Sequence, residues 1–247
     1  MSGAAAATPG TQNGYLQNAD GYEWTQLIEK GLMGACFAYQ ITENYLTDNK
    51  IGTTVNNLDA DDATAGKYYT AMEHHWDEGY GYFTDNNNYD SSSNRFWTKY
   101  ANKGYMNGLG AEIAEAFRTG RAAITASRIA GGDGLTYHAD VLAQRDIIVS
   151  KVNRMAAGMA IHYLYDVKNS VAGGASANDV NHSMSEAYAF MYGLHTLNGG
   201  AYAADIAGLL AQIDGNYQGF IASEPSITGT ISAIASLVGI TDPESFE

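Results

Sequence analysis

The sequence lacks features that several classes of protein need. Cys36 is the only cysteine, so no disulfide can form within the chain and no thiolate cluster can hold a metal. Only three prolines interrupt 247 residues, which leaves room for long helices. No apolar run reaches the roughly 20 residues that cross a membrane, so no transmembrane segment is expected.

Basic residues are also scarce. The chain has 13 lysines and arginines against 27 acidic residues, which gives a formal charge of −14. Phosphate backbones would be repelled, so nucleic acid is excluded as an expected partner. A field of this sign attracts cations and basic partners, although an acidic surface also simply keeps a protein soluble. Hydrophobic residues make up 45% of the chain, enough for a sizeable core.

Apolar residues recur at helical spacing along most of the chain, and strand-like alternation is not convincing anywhere. We therefore predict an all-α, up-and-down helical bundle. The predicted organisation is a flexible leader over 1–22, a single helical domain over 23–240 and a tail over 241–247. The predicted helices span 24–46, 62–83, 95–103, 108–127, 135–168, from about 180 to 197, 201–213 and 226–239.

One phrase occurs twice. The segment "HHWDEGYGYF" begins at His74 and the segment "HSMSEAYAFMYG" begins at His182. Both read His, three residues, Glu, small, Tyr, small, aromatic, with the glutamates at Glu78 and Glu186. The repeat predicts an internal duplication of two pseudo-repeats, 23–127 and 135–240.

Residues four apart lie on the same face of a helix, so each repeat would present one histidine beside one glutamate. If the repeats pack about a pseudo-twofold axis, two imidazoles and two carboxylates converge, a suitable set for iron or zinc. His75 is three residues before Glu78 and also shares its face. The alternative is that each His–Glu pair is a structural hydrogen bond or part of a solvated face.

Further residues are candidates for supporting such a site. Arg121 lies in an apolar helical segment, "EAFRTGRAAI", where a guanidinium usually pairs with a buried carboxylate. We predict that it is largely buried and within hydrogen-bond reach of an acidic side chain. The candidates for the second layer around the metal are Asp77, Arg121, Glu43 and His162, with Glu73 beside them.

Several stretches carry a resemblance to a known family, namely "QLIEKGLMGACFAYQITENYL", "AMEHHWDEGYGYF", "RFWTKY", "EAFRTGRAAI" and "HSMSEAYAF". Over about residues 12–240 the chain resembles the bacterial domain of unknown function 4856, which is grouped near the imelysin-like proteins. The resemblance implies a helical bundle in the cell envelope. The H-x-x-E motif of the imelysin-like proteins falls on His75 and Glu78. The fuller imelysin pattern has glycine two residues before the histidine, where this chain has Glu73. The repeat favours His74 as the ligand and the family motif favours His75.

The resemblance further implies an extracytoplasmic location, in the periplasm or attached to the outer membrane. The opening residues contain no secretory signal, so we expect the native signal to be missing from this chain. The expected function is capture or delivery of iron or another divalent metal rather than catalysis. One alternative is a metal-dependent hydrolase or peptidase, and another is a structural or adhesive surface module without metal. The expected partners are a metal ion or small ligand and, beyond that, envelope or surface proteins.

Overall fold

The computed structural model describes residues 15–90, 92–93 and 95–247. All regular structure in these ranges is helical, and the only β pairing is two isolated bridges. The prediction of an all-α helical bundle is confirmed. No helix within the described ranges is both long and apolar enough to cross a membrane.

The helices carry the following bounds. They are α1 Trp24–Leu32, α2 Asp48–Ile51, α3 Ala71–Phe83, α4 Thr98–Ala101, α5 Leu109–Ala130, α6 His138–Ala172, α7 Ala177–Leu194, α8 Ala203–Asp214, α9 Tyr217–Ile221 and α10 Glu224–Val238. Two π-helical segments, Met33–Ala38 and Gln40–Tyr45, follow α1. Short 3₁₀ turns are Ala63–Ala65, Gly104–Met106, Asn198–Gly200 and Pro243–Phe246.

The α3 helix begins nine residues later than predicted, at Ala71 instead of Asp62. Thr70 and Glu73 form a capping box, in which the Thr70 hydroxyl accepts the Glu73 N–H and Glu73 accepts the Thr70 N–H. This reciprocal pair satisfies two N–H groups that would otherwise be orphaned at a helix start. Asp62, where the predicted helix begins, instead caps the 3₁₀ turn Ala63–Ala65 by accepting the Ala65 N–H at 3.0 Å.

The segment predicted as one α-helix over 24–46 is α-helical only to Leu32. Beyond it, the two π-helical segments wind more widely than an α-helix. Each wider turn rotates the following side chains away from the face that a 3.6-residue period predicts. Ile41, Thr42 and Leu46 are nevertheless buried.

The chain divides into two compact units. Unit 1 comprises 1–36 and 153–247, and unit 2 comprises 37–152. These ranges differ from the predicted pseudo-repeats, and the internal duplication stays a prediction.

In unit 1, α1 packs against α7, and α7 packs against α8. The backbone of Gly34 lies close to that of Gly193. A Cβ on Gly193 would lie 2.8 Å from the Gly34 Cα, so neither position has room for a side chain.

Both ends of the described chain pack against unit 1. Residues 1–14 of the predicted leader lie outside the described residues, but Gln17 is buried and donates to the Asn178 carbonyl at 2.8 Å. In the predicted tail, Phe246 is 2% exposed, and its carbonyl lies 2.8 Å from His162 Nδ1. Both segments therefore contribute to the core of the unit.

In unit 2, α3 lies against the Gln40–Tyr45 segment, α2 and α5. Trp76 on α3 is 1% exposed and donates its indole N–H to the Phe117 carbonyl of α5 at 2.8 Å. A Cβ on Gly120 would overlap the Trp76 ring, so the missing side chain at 120 is what lets α5 approach the indole. This contact fixes the spacing between α3 and α5.

Candidate functional site

The histidines of α3 have different surroundings. His74 is partly exposed, stacks on Tyr69 at 4.9 Å between ring centroids and places Nε2 3.5 Å from Glu78 Oε1. The predicted i, i+4 pair is therefore present. His75 Nδ1 lies 2.7 Å from the Lys50 carbonyl at the end of α2. That nitrogen is engaged in joining α2 to α3.

His182, the histidine of α7, lies between two carboxylates. Its Nδ1 is 2.6 Å from Glu23 Oε2, and its Nε2 is 3.5 Å from Glu186 Oε2. Lys30 reaches Glu186 at 3.5 Å, and the lysine and both glutamates are at most 8% exposed in their side chains. The sequence pattern predicted His182 and Glu186 as site residues but not Glu23 and Lys30. Lys30 lies on α1, and Glu23 immediately precedes that helix.

Burial raises the pKa of Glu186 and outweighs the opposing effects of His182 and Lys30, which favour the carboxylate. The two glutamates approach the His182 ring at opposite nitrogens. A single ion could therefore not contact the ring and both carboxylates without rearrangement. Tyr15 covers the ring face, with centroids 4.4 Å apart.

Within the described residues, no three His, Cys, Asp or Glu side chains come together in an arrangement that could hold a metal. Two residues predicted to support the metal site, Glu43 and His162, lie outside α3 and α5 and contact neighbours other than the predicted ligands. Glu43 accepts the Thr42 hydroxyl at 2.9 Å, and His162 Nε2 lies 3.7 Å from Asp166. The prediction that the α3 and α7 pairs share one metal stays a prediction.

The densest polar network in unit 2 surrounds Glu73. Arg121 Nη1 donates to Glu73 Oε1 at 2.9 Å, and Arg121 Nε donates to Asp77 Oδ1 at 2.8 Å. Arg128 Nη1 reaches the other Glu73 oxygen at 3.1 Å, and the Thr125 hydroxyl donates to Glu73 Oε1 at 2.9 Å. The expected pairing of Arg121 with an acidic side chain is confirmed, but its side chain is 30% exposed and therefore only half-buried, not largely buried as predicted.

The pKa values of the two carboxyl groups in this network, Glu73 and Asp77, are shifted in opposite directions. Burial alone would raise the pKa of Glu73, but the Thr70 N–H, the two arginines and the Thr125 hydroxyl together hold it below its usual value. Burial raises the pKa of Asp77 despite its contact with Arg121. Glu73 is thus the fixed anion of the network.

A cleft of about 560 Å³ opens between α3 and α5 beside this network. Its walls are mostly apolar, but Asp77, Arg118 and Arg121 bring charge to it. The full lining is Trp76, Asp77, Tyr80, Asn87, Phe117, Arg118, Arg121, Ala122, Thr125, Ala126 and Ile129. Ile129 is 80% exposed at one edge.

The fold and the cleft define an all-α protein with a preformed, partly charged pocket between two packed helices. A family model described as "Domain of unknown function (DUF4856)" matches residues 1–240. The chain belongs to this family. Searches of curated proteins and of solved structures each found no significant match.

Proposed function

We propose that this protein binds a small, largely apolar molecule in the cleft between α3 and α5. The observation that carries the proposal is the cleft of about 560 Å³, whose walls combine aromatic rings, alanines and two guanidinium groups. Small-molecule sites in proteins are concave, about 300–1,000 Å³ in volume, mainly apolar and supplied with a few placed polar groups.

The walls are held in place before any ligand arrives. Trp76 is fixed by its hydrogen bond to the Phe117 carbonyl, and Arg121 is held by Glu73, Asp77 and Thr125. A ligand would therefore lose little affinity to the ordering of side chains. This preorganisation favours a binding role for the cleft.

The test uses N-phenyl-1-naphthylamine, a neutral apolar fluorophore. We expect saturable fluorescence enhancement with the wild type and a large loss of affinity in Ala126→Leu, because the added side chain would fill the cleft. Ala207→Leu is the matched control, since Ala207 is an exposed position on α8 outside the cleft. Equal binding by all three proteins, or no saturable binding by the wild type, would show the proposal to be wrong.

Capture of a divalent metal is the second candidate, as the imelysin-like resemblance implies. The observation that favours it is the placement of His182 within reach of the buried Glu23 and Glu186. Calorimetric titration with Fe²⁺, Zn²⁺ and Mn²⁺ would compare the wild type with His182→Ala/Glu186→Ala and with His74→Ala/Glu78→Ala. Identical heats in all three proteins would rule out both histidine pairs as ligands.

The same resemblance supports an extracytoplasmic location, which we propose for this protein. Cell fractionation of the native host with an antibody to this chain tests it, and recovery in the cytoplasm alone would contradict it.

The hydrolase alternative additionally requires metal-dependent cleavage of a peptide or ester. The metal-loaded protein from the calorimetric experiment can be assayed for this activity.

A further inference from the structure

We propose that the ligand of the cleft is an anionic amphiphile, with one carboxylate-like head beside Arg118 and Arg121 and an apolar body along α5 toward Ile129. This inference rests on the proposed binding function and adds the chemical class of the ligand. It follows from which guanidinium N–H groups are already engaged, and from where the two arginines lie in the cleft.

Each arginine has donors that the surrounding chain leaves unused. Arg121 donates through Nε and Nη1, and no described residue accepts a hydrogen bond from its Nη2. Arg118 directs Nε and Nη2 to Glu115 Oε2, at 3.1 and 2.6 Å, and its Nη1 has no acceptor among the described residues. Guanidinium groups bind carboxylates and phosphates through paired N–H donors, so these are suitable contacts for an anionic head.

The spacing of the lining residues places the head at one end. Arg118 and Arg121 are three residues apart, so they lie on neighbouring turns, about 4.5 Å apart along the helix axis. Ile129 is eleven residues beyond Arg118, which corresponds to about 16 Å along α5. Between them, Ala122 and Ala126 leave an apolar floor. A ligand with an elongated apolar body fits this arrangement.

The neighbouring carboxylates and the net charge of the chain oppose an anion. Asp77 and Glu73 are both paired with Arg121, and Glu115 is paired with Arg118, so each carboxylate near the head position already accepts from a guanidinium. The chain carries a formal charge of −14, but salt screens exposed charges beyond about 8–10 Å. The anionic head therefore depends on direct contact with the guanidinium N–H groups that these carboxylates leave unused.

The test compares three ligands with the same chain and different heads: decanoate, decanol and decyltrimethylammonium. Each is titrated against the protein loaded with N-phenyl-1-naphthylamine, and its dissociation constant is obtained from displacement. We expect decanoate to bind about tenfold more tightly than decanol, because charge-assisted hydrogen bonds add to the same apolar contact. Decyltrimethylammonium should bind more weakly than either.

Variants locate the head group. Arg118→Gln should clearly reduce the preference for decanoate over decanol, because only the Arg121 Nη2 donors remain for the head, and should leave the decanol affinity unchanged. Arg145→Gln is the matched control, since Arg145 also pairs only with exposed carboxylates, Asp48 and Asp146, and does not line the cleft. Circular dichroism of each variant confirms that the fold is retained.

The outcomes separate the two proposals. If decanol and decanoate bind equally, or decyltrimethylammonium binds most tightly, the cleft binds apolar ligands but the anionic head is wrong. Retention of the decanoate preference in Arg118→Gln would also overturn the assigned head position. If none of the three displaces the fluorophore and the fluorophore itself does not bind, the binding function proposed for the cleft fails.

Discussion

Replacing Arg121 by methionine tests whether the network around Glu73 stabilises unit 2. The substitution keeps most of the apolar stem, so it removes mainly the guanidinium. Glu73, whose side chain is 4% exposed, would lose the 2.9 Å contact with Arg121 Nη1. Asp77 would lose its only ion pair among the described residues.

The expected cost follows from what remains. Removing one partner of a fully buried ion pair costs about 3–5 kcal/mol, because the other charge is left uncompensated. Glu73 keeps Arg128 at 3.1 Å, the Thr70 N–H and the Thr125 hydroxyl, so much of its charge stays compensated. Arg121 is also 30% exposed, which weakens its contribution further. We therefore expect a loss of about 1.5–3 kcal/mol.

The assay is thermal and urea unfolding monitored by circular dichroism, with Arg118→Met as the matched control. Arg118 is on the same helix but, among the described residues, pairs only with Glu115, and both side chains are about half-exposed or more. An exposed pair of this kind contributes about 0–1 kcal/mol. For a chain of this size we expect Tm to fall by about 3–6 °C in Arg121→Met and by no more than about 2 °C in the control. Equal shifts in the two variants would refute the reasoning.

The remaining predictions concern two buried glutamates and two glycines. Because the pKa of Glu73 is lowered, its stabilising effect is present above the usual value of 4.5 and lost as pH falls, so Glu73→Gln should cost most near neutral pH and least in acid. The pKa of Glu186 is raised, so the fold favours its protonated form, and the cost of Glu186→Gln should decrease as pH rises above the usual value of 4.5. Urea unfolding at a series of pH values from acid to neutral checks both, and parallel slopes would contradict them. Gly193→Ala should destabilise the fold by about 1–3 kcal/mol, because the new methyl group overlaps Gly34. Gly31→Ala has nothing within 4 Å of the new Cβ and should stabilise α1 by up to about 1 kcal/mol. Equal melting temperatures of the two variants would show that the close approach is dispensable.

The fold class was predictable because helical periodicity persists through nearly every segment and proline hardly interrupts it. The helix boundaries that differ from the prediction depend on local hydrogen bonding, which apolar periodicity does not show. The α3 start depends on a reciprocal cap between Thr70 and Glu73. The π-helical winding of 33–45 has no signal in a pattern analysed with a period of 3.6 residues.

The polar clusters were predictable only where one helix contributes several members. Arg121, Thr125 and Arg128 follow one another at spacings of four and three, so a shared face was visible in the sequence. The pairing of His182 with Glu186 was visible for the same reason. The contact between His182 and Glu23 joins residues that are distant in the sequence, and only the packing of α1 against α7 brings them together.

Glu73 links the start of a helix to the wall of the cleft. One carboxylate oxygen accepts the Thr70 N–H at 2.9 Å and also contacts Arg128, and the other accepts from Arg121 and Thr125. The residue that fixes where α3 begins therefore also fixes the orientation of a guanidinium that lines the cleft. On α3, Trp76 and Asp77 line the cleft, and both are held by α5, Trp76 through the Phe117 carbonyl and Asp77 through Arg121. The cleft therefore depends on the packing of the two helices, which Gly120 permits by leaving space for the Trp76 ring.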